Sequence, residues 1–265
     1  MYVVKKEILS KVNLNDQSVT KLLKVPSDEI TMDSLENKIA YVKHEKTERH
    51  IYIRTISNGN EIKADKWSSQ NFGPEISPDG ANVLFNCMGP GTTWKICLYN
   101  VGADKLEAFP NEETKSFDYG INGWKNDSIA SLYTSGSLRL YNALNKLFLR
   151  EKVFEDTSDY SYSMPGSKII EVDNENSYLI NGVNLNSDTK SCDGPCDNLF
   201  LVDSLNKVTT LYPKYIQVSN AYLTGGVVYS NIYNCKTSKE EMYGITLKTK
   251  KKFKMNISGK IINVY

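Results

Sequence analysis

Histidine is almost missing from these 265 residues: the two present are His44 and His50. Two histidines cannot complete a three-histidine metal centre. No Gly-x-Ser-x-Gly pentapeptide offers a nucleophile elbow of the kind a peptidase-type hydrolase needs. Charge of one sign is missing too, since 32 Lys plus Arg face 31 Asp plus Glu for a formal charge of +1. Without a basic excess, nucleic acid and anionic membranes are not expected partners. No apolar run approaches the roughly eighteen residues of a membrane span. The start, "MYVVKKEILSKVNLND", has no apolar leader core. The expectation is a soluble chain, cytoplasmic if the sequence is full length and extracytoplasmic if a leader was removed. Helical periodicity is nearly absent, which excludes a bundle or an α/β fold.

What remains is a succession of short runs rich in Tyr and branched residues, separated by turns rich in Gly, Asn, Asp and Ser. "NKIAYV", "RHIYIRTI", "ANVLF", "WKICLYNV", "SIASLY", "GSLRLYNAL", "SKIIEV", "NLFLVD", "GGVVYS" and "MYGITL" all read as strands. The chain is all-β. Ile39-Ala40-Tyr41, Val83-Leu84-Phe85, Ile129-Ala130-Ser131, Ile169-Ile170-Glu171 and Val227-Val228-Tyr229 occupy one slot of a repeat. Ile51, Ile96, Leu138, Leu199 and Tyr243 each open a second slot, which advances by 45, 42, 61 and 44 residues. A period near 40–45 residues with four strands per unit is the mark of propeller blades. The long step places an insertion of about 17 residues within "NGVNLNSDTKSCDGPCDN".

The sharpest copy of the unit is "FGPEISPDGANVLFNC", residues 72–87. Pro presets φ and Gly accepts positive φ, so Ser-Pro-Asp-Gly makes a tight turn between a strand ending at Ile76 and the next strand. "GWKNDSIASLY", "SMPGSKII", "YLTGGVVY" and "SLENKIAY" read as further copies. Together with "IYI" and the turn "SNGNE", this unit resembles the WD-like repeats of the TolB propeller family, which also build the propellers of dipeptidyl-peptidase-type enzymes. The resemblance spans about 85% of the chain, counted as the repeat period laid along it. It implies a β-propeller and, as in TolB relatives, a protein partner.

The ends of the chain bear on blade number. The wrap from the last repeat to the first strand, "EILSKVNL", falls about one strand short of a period. A sixth blade shared by both termini follows, with "GKIINVY" joining "EILSKVNL" and "SVTKLLKV"; this covers free sheet edges. The alternative is five blades with irregular tails. Residues 1–265 are then one propeller domain, expected to be monomeric.

Candidate chemistry is sparse. His44 is expected in a surface loop and His50 at the head of a strand, both solvated. Cys87 and Cys97 sit at strand-like positions, where cysteine is usually a small buried apolar group. The cysteine count of five leaves at least one thiol unpaired in a monomer. In "CDGPC", Cys192 and Cys196 admit a small disulfide, half a zinc site or two thiols, with the disulfide placed first. "CMGPGTTWK" lacks the third Gly and the helix of a phosphate loop. "DNENS" lacks the Gly and terminal Glu of a calcium loop, so it reads as a turn. Glu75 and Asp118 are the carboxylates nearest the first strands and read as salt-bridged or solvated. "KTKKKFK" reads as a hairpin edge guarded by lysines.

The connections entering each blade and those after its second strand should share one rim, collecting aromatics there. Trp67, Trp94 and Tyr160 are the expected exposed binding residues, while Trp124 belongs to the core. No catalytic residue, metal ligand or cofactor is assigned. The expected function is a non-enzymatic propeller binding a protein through one rim. The alternative is a carbohydrate- or small-ligand-binding propeller, including a glycosidase or lyase with carboxylates at the funnel mouth.

Overall fold

The computed structural model describes the chain apart from residues 67, 89–93, 109–118, 135–136, 156–159, 162–168, 173–176, 185–196, 214 and 264–265, and the side chains of 119, 134, 160, 184 and 263. Among the described residues every regular element is a strand. The chain opens with β1 (Tyr2–Lys5), β2 (Ile8–Val12) and β3 (Val19–Lys24). A first complete antiparallel sheet follows in chain order: β4 (Ile30–Met32), β5 (Lys38–Glu45), β6 (Glu48–Thr55) and β7 (Glu61–Lys63). The next is β8 (Asn71–Ile76), β9 (Asn82–Met88), β10 (Trp94–Asn100) and β11 (Lys105–Ala108). A third contains β12 (Tyr119–Trp124), β13 (Ile129–Thr134), β14 (Ser137–Asn142) and β15 (Leu147–Val153).

In the fourth, β16 (Tyr160–Ser161) and β17 (Ile169–Glu171) pair with opposite ends of β18 (Tyr178–Asn184), followed by β19 (Asp197–Val202) and β20 (Val208–Thr210). The fifth is β21 (Ile216–Thr224), β22 (Val227–Asn234), β23 (Lys239–Thr246) and β24 (Lys252–Lys254). The last strand, β25 (Lys260–Asn263), pairs antiparallel with β1, giving a sixth sheet ordered β25-β1-β2-β3. This is a six-bladed β-propeller. The sheets fall into two compact units, one of residues 1–23, 135–137 and 153–265, the other of 24–134 and 138–152.

The shared closing blade is present as the length of the wrap required, with one addition. "YVVK" is itself a strand, so three strands come from the start of the chain and one from the end. Val3 faces Ile261 across the pair, and the side-chain amide of Asn231 holds the returning strand. Its Nδ2 donates to the Gly259 carbonyl at 2.7 Å and its Oδ1 accepts from the Ile261 N–H at 2.7 Å. "KTKKKFK" forms the lysine-flanked last strand of its blade, with Lys254 paired to Glu241.

The turn between first and second strands explains why the repeat was visible. Ser77 N–H donates to Asn82 O at 2.8 Å, Gly80 N–H donates to Ser77 O at 2.8 Å, and Ser77 Oγ accepts from Asn82 N–H at 2.9 Å. In "SLENKIAY" the same positions recur with different chemistry. Asp33 N–H donates to Lys38 O at 3.1 Å, and the Asp33 carboxylate accepts from the N–H groups of Asn37 and Lys38. Glu36 then takes the left-handed position of Gly80, φ +58° against +70°.

One blade departs from the sequence reading. Ile169-Ile170-Glu171 belongs to the first strand of the fourth blade, not to its second strand, where Leu179-Ile180 stands. Val172 N–H donates to Ser177 O at 2.8 Å between β17 and β18, while residues 173–176 and "SMPG" (163–166) lie outside the described residues. The insertion expected within residues 181–198 falls on 185–196, between β18 and β19, and these too lie outside the described residues.

The second sheet shows how blades bury their faces. Val83, Phe85, Cys97 and Tyr99 face a core shared with Ala40, Val42, Ile51 and Ile53 of the first complete sheet. Leu84, Ile96 and Leu98 face the other way, against Ile121, Ala130, Leu132 and Tyr141 of the third. Trp124 packs on this second core as expected, and its Nε1 donates to the Glu75 carbonyl at 2.9 Å. Cys87 and Cys97 are buried as expected but are not thiols. Cys87 lies opposite Lys95 and Cys97 opposite Phe85, and this diagonal pair is joined by a disulfide with Cα atoms 6.0 Å apart.

Three stability measurements follow. Gly80→Ala forces a left-handed alanine whose Cβ sits 2.7 Å from Asp33 Oδ2, and should cost about 1–3 kcal/mol in urea unfolding. Glu36→Gly, at the equivalent position, should be neutral or stabilising by up to about 1 kcal/mol. Replacing Cys87 and Cys97 together by Ala should cost about 2–4 kcal/mol by the same assay.

Candidate functional site

In an antiparallel sheet the start of the first strand, the end of the second, the start of the third and the end of the fourth lie at one end. In the unit of residues 24–134 and 138–152, this end collects Glu29, Glu45, Glu48 to His50, Lys63 to Lys66, Ser68, Ser69, Asn71, Phe72 and Trp94. The connection from β7 to β8 closes over the start of β6. Arg49 N–H donates to Ser69 O at 2.9 Å, Gln70 Nε2 to Thr47 O at 3.0 Å, and Ser68 Oγ accepts from Met88 N–H at 3.0 Å.

His50 is trapped beneath this connection. Ile51 and Ile53 point into the core, so period two turns His50 to the other face, where the connection covers it to 4% exposure. It is thus a buried group, not the solvated residue expected, because the chain returns over it at Asp65. His44 is exposed as expected, but on β5 rather than in a loop. His50 Nδ1 lies 2.6 Å from Asp65 Oδ2 and Nε2 lies 2.8 Å from Glu48 Oε2. Asp65 accepts further bonds from Ile51 N–H at 3.2 Å and Asn71 Nδ2 at 2.6 Å. The Asn71 amide also reaches the carbonyls of Arg49 and Ser68.

Burial pulls the His50 pKa down, but hydrogen bonds to Asp65 and Glu48 outweigh it and hold the group above its ordinary value. With both ring nitrogens held by carboxylates, His50 is arranged as a fixed cation and not as a base facing a nucleophile. The Ser68 hydroxyl is engaged with the backbone of Gln70 and Met88. Above the pair opens a cleft of about 620 Å³ lined by Glu48, His50, Lys63, Asp65, Lys66, Ser68 and Ser69.

Beside the cleft stands an aromatic and charged patch. Glu29 pairs with Arg49 and accepts the Gly73 N–H at 3.2 Å. The Arg49 guanidinium lies 5.7 Å from the centre of the Phe72 ring, and Trp94 meets Phe72 edge to face at 5.0 Å. Trp94 stays 37% exposed. Of the expected binding residues, Trp94 is therefore in place on the rim. Tyr160 opens β16, with its side chain outside the described residues, as are Trp67, Cys192, Cys196 and Asp118. Glu75 lies on β8, half-buried. Sequence reasoning missed His50, Asp65 and Asn71. The only local trace was a histidine heading the strand "RHIYI", on the face opposite Ile51 and Ile53.

Comparison with solved structures bears on the fold. The crystal structure of TolB from Acinetobacter baumannii matches with a TM-score of 0.56 at 15% identity, over 98% of this chain and 64% of that one. The chain thus spans a little under two thirds of that TolB. A nidogen/laminin complex matches at TM-score 0.62 and 8% identity, over 95% and 90% of the two chains. The tricorn protease matches at 0.60 and 12% identity, over 94% of this chain and 28% of that one. No family profile and no curated protein matches the sequence. The class is the six-bladed β-propeller. Within it the fold is TolB-like, as the turn repeat implied.

The buried pair sets a pH dependence. Because the folded pKa of His50 lies above its ordinary 6.5, the stability it contributes is complete below that value. It is lost as pH rises through the folded pKa. Melting temperature should therefore fall through that window in the wild type and less so in His50→Gln. Asp65→Ala leaves a buried imidazolium with one partner fewer and should cost about 3–5 kcal/mol at pH 6.

Proposed function

We propose that the chain is a non-enzymatic propeller scaffold that binds a protein partner through the rim bearing Trp94. The observation that carries this reading is the Glu29–Arg49–Phe72–Trp94 arrangement. An exposed tryptophan is braced by a buried-edge aromatic and an ion-paired arginine, on strand starts with little freedom to move. Tryptophan and arginine are the residue types on which protein interfaces most often concentrate their energy. A rigid support lowers the ordering cost of binding. The likeness to TolB and to a nidogen solved with laminin supports the reading at the level of fold.

The protein is further proposed to work outside the reducing cytosol. Cys87 and Cys97 form a buried disulfide, and Cys235 is disulfide-bonded as well. Such bonds form and persist mainly in oxidising compartments.

The second reading, a polar small molecule or an oligosaccharide, rests on the open cleft above His50 and Asp65. A thermal-shift screen against oligosaccharides and divalent metals separates the two. A ligand at a hundred times its dissociation constant adds about 2.7 kcal/mol. A shift abolished by Glu48→Gln would favour the cleft. For the protein-partner reading, cross-linking capture with wild type, Trp94→Ala and Arg49→Ala is the test. The captured partner, once purified, should bind Trp94→Ala about ten- to thirtyfold more weakly, with the melting temperature unchanged. Equal affinity for wild type and Trp94→Ala would sink this rim as the interface.

A further inference from the structure

Every blade ends in a strand with one edge turned away from its own sheet, and five of the six carry the usual protections. β7, β20 and β24 are three residues long, and β11 is four and opens on Lys105. β3 has six residues but includes Lys21 and Lys24. Shortness and lysines are how sheet edges avoid pairing with other chains. β15 is different. It has seven residues, "LFLREKV", and begins with three apolar ones. Leu147, Leu149 and Val153 share one side by the alternation of the strand and are 59%, 48% and 61% exposed; Leu144, in the preceding turn, is 76% exposed. On the other side Phe148 meets Tyr141 edge to face at 5.3 Å, which fixes the strand against its sheet.

We propose that β15 is a self-association edge, pairing antiparallel with β15 of a second copy about a two-fold axis through Leu149. A two-fold pairing keeps the leucine side of both strands together only in registers where a residue meets itself on the axis. The register centred on Arg150 sets arginine against arginine, and that centred on Glu151 sets glutamate against glutamate. The register centred on Phe148 overlaps only three residues. Centred on Leu149, five residues overlap with no like charges opposite. Leu149 meets Leu149, each Phe148 meets the other copy's Arg150, and each Leu147 meets the other copy's Glu151. An arginine beside an aromatic ring is favourable. The exposed side then carries an apolar centre, Leu147 and Leu149 of both copies, bounded by the two Glu151 side chains.

A two-fold pairing uses each edge once and so closes at a dimer. One strand edge buries less than the roughly 1,200 Å² of a standard interface, so the dimer is a weak one, in the micromolar range. This departs from the monomer expected from the sequence, and it is independent of the Trp94 rim.

Sedimentation velocity on the full chain from roughly 1 to 200 µM tests it. The expected result is a monomer–dimer equilibrium that Leu149→Lys weakens at least about tenfold, with its melting temperature within a few degrees of wild type. As a second readout, Leu149→Cys should run as a covalent dimer after mild oxidation, while Leu144→Cys, off the axis, should not. A monomer at every concentration would overturn the proposal and leave the edge to a strand of another protein. A dimer unaffected by Leu149→Lys would overturn it too, by placing the contact elsewhere.

Discussion

The structure depends on one sheet serving as a wall of two cores at once. β9 sends Val83 and Phe85 to one side and Leu84 to the other, and neither side reaches water. A strand buried on both faces cannot alternate apolar with polar, so its sequence reads as an unbroken apolar run. Ile39-Ala40-Tyr41-Val42 is the corresponding run in β5, and all four side chains are buried. Only the strand ends and the fourth strands are released from this requirement. Charged and aromatic side chains gather there, and the binding rim and the β15 edge are both drawn from these released positions. The Cys87–Cys97 bond lies inside the same sandwich, closing the β9–β10 hairpin where side chains already have nowhere to go.

The rim itself is held by polar groups. Asp65, Asn71 and His50 are almost wholly inaccessible, yet each carries hydrogen bonds to backbone or to one another. Together they fasten the β7–β8 connection over the start of β6. Fixing that connection also fixes the first residues of β8, and with them Phe72, on which Trp94 leans. A buried ionic group here contributes a defined rim conformation more than net stability.

The parts of the fold legible in the sequence were those set by local backbone chemistry. Ser-Pro-Asp-Gly was readable because Pro and Gly have few conformational options. "SLENKIAY" was readable as a looser copy, although its left-handed residue is Glu36. The closing blade could be inferred by counting residues against the period. The fourth blade was misassigned because "SMPG", with Pro and Gly, matched the turn of the repeat, whereas β17 and β18 are joined between Val172 and Ser177 by a segment with neither. Of the site, Trp94 was legible as an aromatic heading a strand. His50 was not, because its burial is conferred by Asp65, fifteen residues away, through a connection with no motif. The disulfide was hidden for a similar reason. Which two cysteines lie diagonal to each other is a property of strand register, and register appears only once the strands are paired.

The strand that completes the sixth sheet lies far along the chain from its partner. β1 stands at the edge of its sheet until β25 pairs with Val3 and Val4 and is gripped by Asn231. Until the two meet, β1 therefore presents an open strand edge that β25 covers. A copy lacking β25 would keep that edge bare, and with it a handle by which a chaperone or protease can tell an incompletely folded molecule from a folded one.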